Sequence, residues 1–221
     1  HPDAIPLLLD TLGALDDTPV DPDRRGVALN AIRALGLLKD QRADAPLRDR
    51  LQSNDYNVRE EAARSLGTMG SPAAAGAIRS LLASGVEGAG REQPSSPLLQ
   101  EPCEALLEAL GDIGINDAAT LATLKPFTQH PRPLICSAAC RALLQLTGDA
   151  HWGEQLIQLL QHPEPLVRRG ALLDLGATGW TAAVPTIRAA AVEPSLKLVA
   201  LRRLAETSGD PQVLDVMDAL L

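Results

Sequence analysis

Residues 57–67 read Asn-Val-Arg-Glu-Glu-Ala-Ala-Arg-Ser-Leu-Gly, and the pattern recurs along the 221-residue chain. Residues 166–176 (Leu-Val-Arg-Arg-Gly-Ala-Leu-Leu-Asp-Leu-Gly) and 26–36 (Gly-Val-Ala-Leu-Asn-Ala-Ile-Arg-Ala-Leu-Gly) keep its apolar positions and closing glycine. Residues 102–111, 135–144 and 196–205 repeat it with more drift. In the first copy Val58, Ala62, Ala63 and Leu66 fall on one helical face, and Gly67 reads as a helix stop. The aligned leucines, Leu35, Leu66, Leu110, Leu143, Leu175 and Leu204, are 31, 44, 33, 32 and 29 residues apart. A short period carrying two amphipathic segments marks a helical repeat array, in which each unit buries its apolar face only against its neighbours.

Composition narrows the class further. Hydrophobic residues make up 45% of the chain, enough for a core, but with two Trp, one Tyr and one Phe that core is built from Leu and Ala. Both are strong helix formers, and no run alternates like a strand, so the chain reads as all-α. The net charge of −8 argues against a nucleic-acid partner, because phosphate binding needs clustered Lys and Arg. No apolar run reaches the roughly 18 residues of a membrane span, and no secretory signal is present. Three cysteines without paired spacing fit a reducing compartment, so a cytoplasmic location is expected. Because the chain opens at His1 without a Met, the numbering is expected to begin inside a longer protein.

Residues 3–15 form one amphipathic helix, with Ile5, Leu8, Leu9 and Leu12 on one stripe. By the repeat logic it is the second helix of a pair whose first is missing. A turn follows at 17–22, where Asp21 can cap a helix that opens with Pro22. Six helix pairs are then expected, at 22–37 with 41–52, 55–68 with 72–83, 98–112 with 117–129, 133–147 with 150–161, 164–176 with 180–192, and 194–207 with 210–221. Asn54 or Asp55 is a plausible cap for the second pair. Proline opens several of the first helices, where it sets φ and needs no donor. Residues 85–97 (Gly-Val-Glu-Gly-Ala-Gly-Arg-Glu-Gln-Pro-Ser-Ser-Pro) interrupt the array, and their composition argues against a helix. Loops of this length are either functional or disordered, or else tolerated surface insertions. The fold class is therefore an α-solenoid superhelix of short HEAT-like repeats. It is expected to form a single domain over 1–221, with a loop insert at 85–97 and a concave face for binding.

The sequence offers no nucleophile–base motif, phosphate loop or metal spacing. His130-Pro131 and His162-Pro163 open successive repeats at one register and read as turn residues rather than ligands. Periodicity alone thus stops at a binding scaffold. More specific stretches are residues 99–114 (Leu-Gln-Glu-Pro-Cys-Glu-Ala-Leu-Leu-Glu-Ala-Leu-Gly-Asp-Ile-Gly) after the insert, 126–131 (Pro-Phe-Thr-Gln-His-Pro), 138–147 (Ala-Ala-Cys-Arg-Ala-Leu-Leu-Gln-Leu-Thr), 168–180 (Arg-Arg-Gly-Ala-Leu-Leu-Asp-Leu-Gly-Ala-Thr-Gly-Trp) and 194–201 (Pro-Ser-Leu-Lys-Leu-Val-Ala-Leu). In this order, from about Arg24 to Leu204, they resemble the E-subunit side of the E/F-type phycobilin lyases.

That resemblance implies an enzyme, a lyase that attaches an open-chain tetrapyrrole (a bilin) by a thioether bond to a cysteine of a phycobiliprotein, usually the α subunit. It implies an F-type lyase subunit as partner, bilin isomerisation in some members, and a further helix pair ahead of His1. The bilin is substrate, and no cofactor is expected. The runner-up is a non-catalytic HEAT-repeat scaffold or chaperone, which bilin absorbance on the purified chain would separate from a lyase. The reaction adds the acceptor thiol across an ethylidene group, so the lyase must position the bilin and supply a proton to a ring carbon. Orientation of this kind is worth about 7–11 kcal/mol in good cases.

The two bilin propionates call for Arg, the pyrrole nitrogens for a carboxylate, and the π surface for an apolar or aromatic wall. The candidates are Arg24, Arg25, Arg59, Arg168 and Arg169 for the propionates, with Glu101 and Glu104 as acids and Tyr56, Trp152 and Trp180 as aromatic walls. Asp174 is the candidate catalytic acid. Each has a structural alternative. Arg59 and Arg168 follow the repeat valine beside a polar turn and can tie neighbouring turns together. Asp174 sits near a helix C-terminus, where negative charge is disfavoured, and reads either as a functional group or as a solvated side chain. Trp152 and Trp180 open second helices of adjacent repeats, and core packing accounts for one of them. Cys140 is expected in the core; Cys103 and Cys136 share the register of Arg59 and are expected to be more exposed, with Glu101 and Glu104 working against a reactive Cys103 thiol.

Overall fold

The computed structural model describes residues 4–16 and 21–219. Residues 17–20 of the expected first turn, and His1, lie outside the described residues. Backbone packing divides the chain into two compact units, His1–Ile115 and Asn116–Leu221. The division falls in the turn of the expected third pair. Each unit is helical, and apart from one isolated bridge no strand pairing occurs among the described residues.

The first unit contains α1 (Ala4–Thr11), α2 (Pro22–Leu38), α3 (Asp44–Arg50), α4 (Tyr56–Met69), α5 (Ala74–Leu82), the single turn α6 (Gly85–Gly88) and α7 (Cys103–Ile113). First helices stack on first helices, α2 on α4 and α4 on α7, while α3 and α5 line the other side. Ile32, Leu35, Leu47, Val58, Leu66, Ile78 and Leu106 are fully buried in the seams. Each such side chain contributes about 1.5–3 kcal/mol of burial. The second unit contains α8 (Ala118–Leu124), α9 (Pro133–Thr147), α10 (Ala150–Leu159), α11 (Pro165–Ala177), α12 (Val184–Ala189), α13 (Pro194–Ser208) and α14 (Gln212–Asp218). Here α9 packs on α11 and α11 on α13, with α10 against α9 and α11. The observed helices match the expected pairs to within a few residues, except that α7 begins five residues later than read, at Cys103 rather than 98.

The helix entries follow the sequence. Asp21 accepts from the backbone N–H of Asp23 (2.9 Å) and Arg24 (3.0 Å), and Pro22 is the first helical residue. Asp55, not Asn54, caps α4. Pro133, Pro165 and Pro194 open α9, α11 and α13.

The helix ends require a correction. Gly36, Gly67 and Gly176 do not stop their helices; they lie inside α2, α4 and α11 and are buried. A β-carbon on Gly36 would lie 2.7 Å from Ser65 Cβ, one on Gly67 2.9 Å from Ala109 Cα, and one on Gly176 2.5 Å from the Ala200 carbonyl oxygen. The repeated glycine is thus the point where one first helix crosses the next at backbone distance. The stop comes later, at residues in the left-handed region such as Gly70 (φ 69°).

The insert also differs from expectation. It opens with the helical turn α6, and an isolated antiparallel bridge joins Glu92 to Leu99. Gln93 N donates to Leu98 O (2.8 Å), Gln100 N to Arg91 O (2.8 Å) and Glu101 N to Ala89 O (3.0 Å). Ala89 and Gly90 are buried beneath this narrow strap.

Candidate functional site

Several first helices carry a donor four residues after the N-cap, which reaches back to the preceding turn. Arg59 Nη1 donates to Ser53 O (2.8 Å), Cys136 Sγ to His130 O (2.9 Å) and Arg168 Nη1 to His162 O (2.8 Å) and Pro163 O (2.8 Å). The arginines also reach forward to the next repeat. Arg59 meets Glu101 (3.0 Å) and Gln100 O (3.1 Å), and Arg168 Nε donates to Ala191 O (3.2 Å). Arg25, at the same register of α2, makes a bidentate pair with the α4 cap Asp55 (2.6 and 2.8 Å). These arginines tie turns together, as the structural alternative for Arg59 and Arg168 has it.

Four of the sequence candidates lie on α4 and at the start of α7, with Glu101 in the turn before it. The Arg59 guanidinium lies 5.7 Å from the Tyr56 ring centroid, with Glu101 at its far end. Burial pushes the Tyr56 phenol up to about 12, and the Glu60 carboxylate adds to the shift. Glu104 sits 3.8 Å from Arg64, which also holds Glu60 (3.4 Å) and Glu108 (2.5 Å). Burial opposes the Arg64 charge, but the Glu108, Glu104 and Glu60 carboxylates outweigh it and raise its pKa. Sequence reasoning missed Arg64 and Glu108. The available signal was an arginine on one first helix with acids one repeat later.

Arg24 is exposed and lines a hollow of about 410 Å³ with Asp10, Thr11, Ala14, Asp23 and Val27. Arg169 pairs with Glu193 through both carboxylate oxygens, Nε to Oε2 at 3.1 Å. Together with Arg168, Pro165, Ala191 and Val192, this pair surrounds a hollow of about 250 Å³.

Asp174 is not solvated. It is 7% exposed between α9 and α11, accepts from Ser137 Oγ (2.5 Å), and lies 3.5 Å from the buried Arg141 guanidinium. The unfavourable charge near a helix end is compensated from the neighbouring helix, which the local sequence could not reveal. Trp180 packs against the core of the second unit, its ring filling the space left by Gly153 on α10, and Trp152 packs against the same core.

Two of the three thiols are inert. Cys103 is fully buried, contrary to the expected exposure, and burial with the nearby Glu101 carboxylate pushes its thiol up to about 12. Burial does the same to Cys140. Cys136 is partly buried and its pKa is also raised. His130 and His162 act as turn residues, their Nδ1 atoms accepting from Arg132 N (3.0 Å) and Glu164 N (3.1 Å). Among the described residues no group of three or more His, Cys, Asp and Glu could hold a metal ion.

A family model described as HEAT repeats matches residues 20–93, and one described as PBS lyase HEAT-like repeat matches residues 167–193. The bilin biosynthesis protein RpcE of Synechococcus sp. strain WH8020 is 56% identical over the whole chain, which spans 83% of that protein. The chain belongs to the phycobilin lyases of the E, or alpha, subunit type. The phycocyanobilin lyase subunit alpha of Picosynechococcus sp. strain PCC 7002 is 44% identical over 93% of this chain and 80% of its own length. Among solved structures, a chain of the complex of CpcE and CpcF of phycocyanin lyase from Nostoc sp. PCC7120 superimposes with a TM-score of 0.86. It is 37% identical, and the match covers 100% of this lyase subunit and 84% of that chain. No helix among the described residues of the subunit is long and apolar enough to cross a membrane.

Proposed function

We propose that this chain is the E-type subunit of a bilin lyase, and that with an F-type subunit it attaches an open-chain tetrapyrrole to a cysteine of a phycobiliprotein α subunit. The observation that carries this reading is similarity over the whole of this chain, 56% identity to a bilin biosynthesis protein together with a TM-score of 0.86 to a chain of a two-subunit lyase. In the reaction the acceptor thiol adds across the ethylidene double bond. The C–S bond forms at the exocyclic carbon, the thiol proton is lost, and a proton is delivered to the ring carbon. The bilin is the substrate, and the subunit works without a cofactor, in the cytoplasm.

The buried thiols of Cys103 and Cys140 argue against a bilin carried on either of them as a thioether. Its contribution is therefore to hold and orient the pigment, the kind of effect that lowers a bimolecular barrier most. Arg168 and Arg169, at the hollow of the second unit, are the candidates best placed to meet a propionate. The test is co-expression of this chain, with and without an F-type partner, beside a bilin source and a phycobiliprotein α subunit. Fluorescence on a denaturing gel reports covalent pigment, which is expected only with both lyase chains. Absence of pigment with every bilin and acceptor tried would favour a non-catalytic scaffold.

A further inference from the structure

We propose that the hollow at the start of α11 is a carboxylate subsite, in which Arg168 takes one bilin propionate and Glu193 is an internal carboxylate holding Arg169 until that ligand arrives. This rests on the lyase reading above. The hollow, about 250 Å³, is lined by Pro165, Arg168, Arg169, Ala191, Val192 and Glu193. It is too small for a whole tetrapyrrole, since drug-sized ligands fill pockets of roughly 300–1,000 Å³. A carboxylate and its short stem fit.

The decisive residue is Arg168. Three backbone carbonyls, His162 O, Pro163 O and Ala191 O, fix its Nε and Nη1. Carbonyls orient a guanidinium without neutralising it. Among the described residues no carboxylate lies within ion-pair distance of Arg168, although Glu193 is near enough to feel its charge, and its Nη2 makes no hydrogen bond. A pre-oriented cation therefore sits at the hollow with donors to spare, the arrangement that favours planar recognition of a carboxylate. Two arginines and one glutamate line the hollow, so its charge is 2 − 1 = +1. The Arg169–Glu193 pair is open to solvent, with side chains 46% and 49% exposed. Exposed pairs are weak, so a carboxylate held by Arg168 can also engage Arg169 as Glu193 turns into water. This exchange conserves charge.

The experiment titrates phycocyanobilin and its dimethyl ester into the purified pair of lyase subunits, read by visible absorbance. The free acid is expected to bind about tenfold or more tightly than the ester. Arg168→Gln should remove about tenfold of that preference, read as the acid-to-ester ratio so that any general loss from the untied turns cancels. Glu193→Gln should tighten binding of the free acid, because the competing carboxylate is gone. That gain separates a subsite from a structural ion pair, whose loss would not improve binding, and it does not disturb the turn that Arg168 pins. Pigment binding with an unchanged acid-to-ester preference in Arg168→Gln, or with no gain in Glu193→Gln, overturns the subsite alone. Binding of neither pigment overturns the lyase reading and the subsite with it.

Discussion

Two glycines in one helix should respond to alanine with opposite signs. Gly26 and Gly36 both lie in α2, and a β-carbon on Gly26 would meet nothing within 4 Å. Gly26→Ala should therefore raise stability by about 0.5–1 kcal/mol, through helix propensity and a less flexible unfolded chain. A β-carbon on Gly36 would fall 2.8 Å from Ser65 Cα, a backbone atom that no rotamer change can move. To reach ordinary contact near 3.4 Å, α2 and α4 must part by about 0.6 Å at that point, a gap that forfeits a quarter or more of the local dispersion energy. The Ser65 hydroxyl, which donates to Ile32 O across the same seam at 3.0 Å, is also displaced. Overpacking costs about 1–3 kcal/mol and the hydrogen bond about 1 kcal/mol. Against a propensity gain of about 1 kcal/mol, the net loss is about 1–3 kcal/mol. Urea unfolding followed by circular dichroism, with hydrogen exchange at α2 and α4, gives the answer. Equal stabilisation by both alanines would refute the close crossing, and with it the reading of the repeated glycine as a packing residue.

Other expectations are open to direct measurement. Arg59→Met should cost about 1.5–3 kcal/mol and speed hydrogen exchange at Gln100 and Glu101, because Arg59 bonds Gln100 O and the Glu101 carboxylate; unchanged protection there would show that the strap holds itself. Thiol titration with a disulfide reagent at pH 8 should leave Cys103 and Cys140 unmodified in the folded chain and find all three thiols in guanidinium, since burial holds those two near 12; rapid labelling of either would contradict the packing. Arg25 lowers the pKa of Asp55, and Arg169 lowers that of Glu193 to about 2. Because these folded-state values lie below the unfolded ones, the Arg25–Asp55 pair contributes fully above the unfolded value of about 4 and is lost as pH falls below it, whereas the solvent-screened Arg169–Glu193 pair contributes little. Acid titration of Arg25→Gln should accordingly show a shallower loss of stability over that window than the parent chain, and Arg169→Gln little change.

The helices were legible because their cause is local. The apolar stripe of Val58, Ala62, Ala63 and Leu66, the caps Asp21 and Asp55, and the entry prolines act within a few residues of themselves. What the glycines do was not legible, since Gly36 owes its role to Ser65 and Gly176 to Ala200, partners one repeat away. The same distance hid the fate of the candidate site residues. Arg25 faces Asp55, Arg59 faces Glu101 and Arg169 faces Glu193, each on the next repeat. The insert read as unstructured because composition registers its glycines and prolines but not the backbone hydrogen bonds that bring residues 89–93 against 98–101.

Asp174 shows how a charge that conflicts with its own helix can be resolved by the next one. With Arg141 3% exposed beside it, Asp174→Asn would break a buried ion pair, at a cost of about 3–5 kcal/mol. Replacing the three side chains together, Ser137→Ala with Arg141→Met and Asp174→Leu, removes both charges of that pair and should recover part of that loss, because apolar replacement of a buried ion pair is often neutral or stabilising. Measured beside covalent pigment yield from the lyase pair, these two variants separate the roles open to Asp174. If Asp174 is a tie between α9 and α11, yield should fall in Asp174→Asn in step with folding and return in the triple variant. If it is the acid that delivers the ring proton, the triple variant folds and attaches no pigment. Burial between two helices, with Ser137 and Arg141 taking its two oxygens, favours the first outcome.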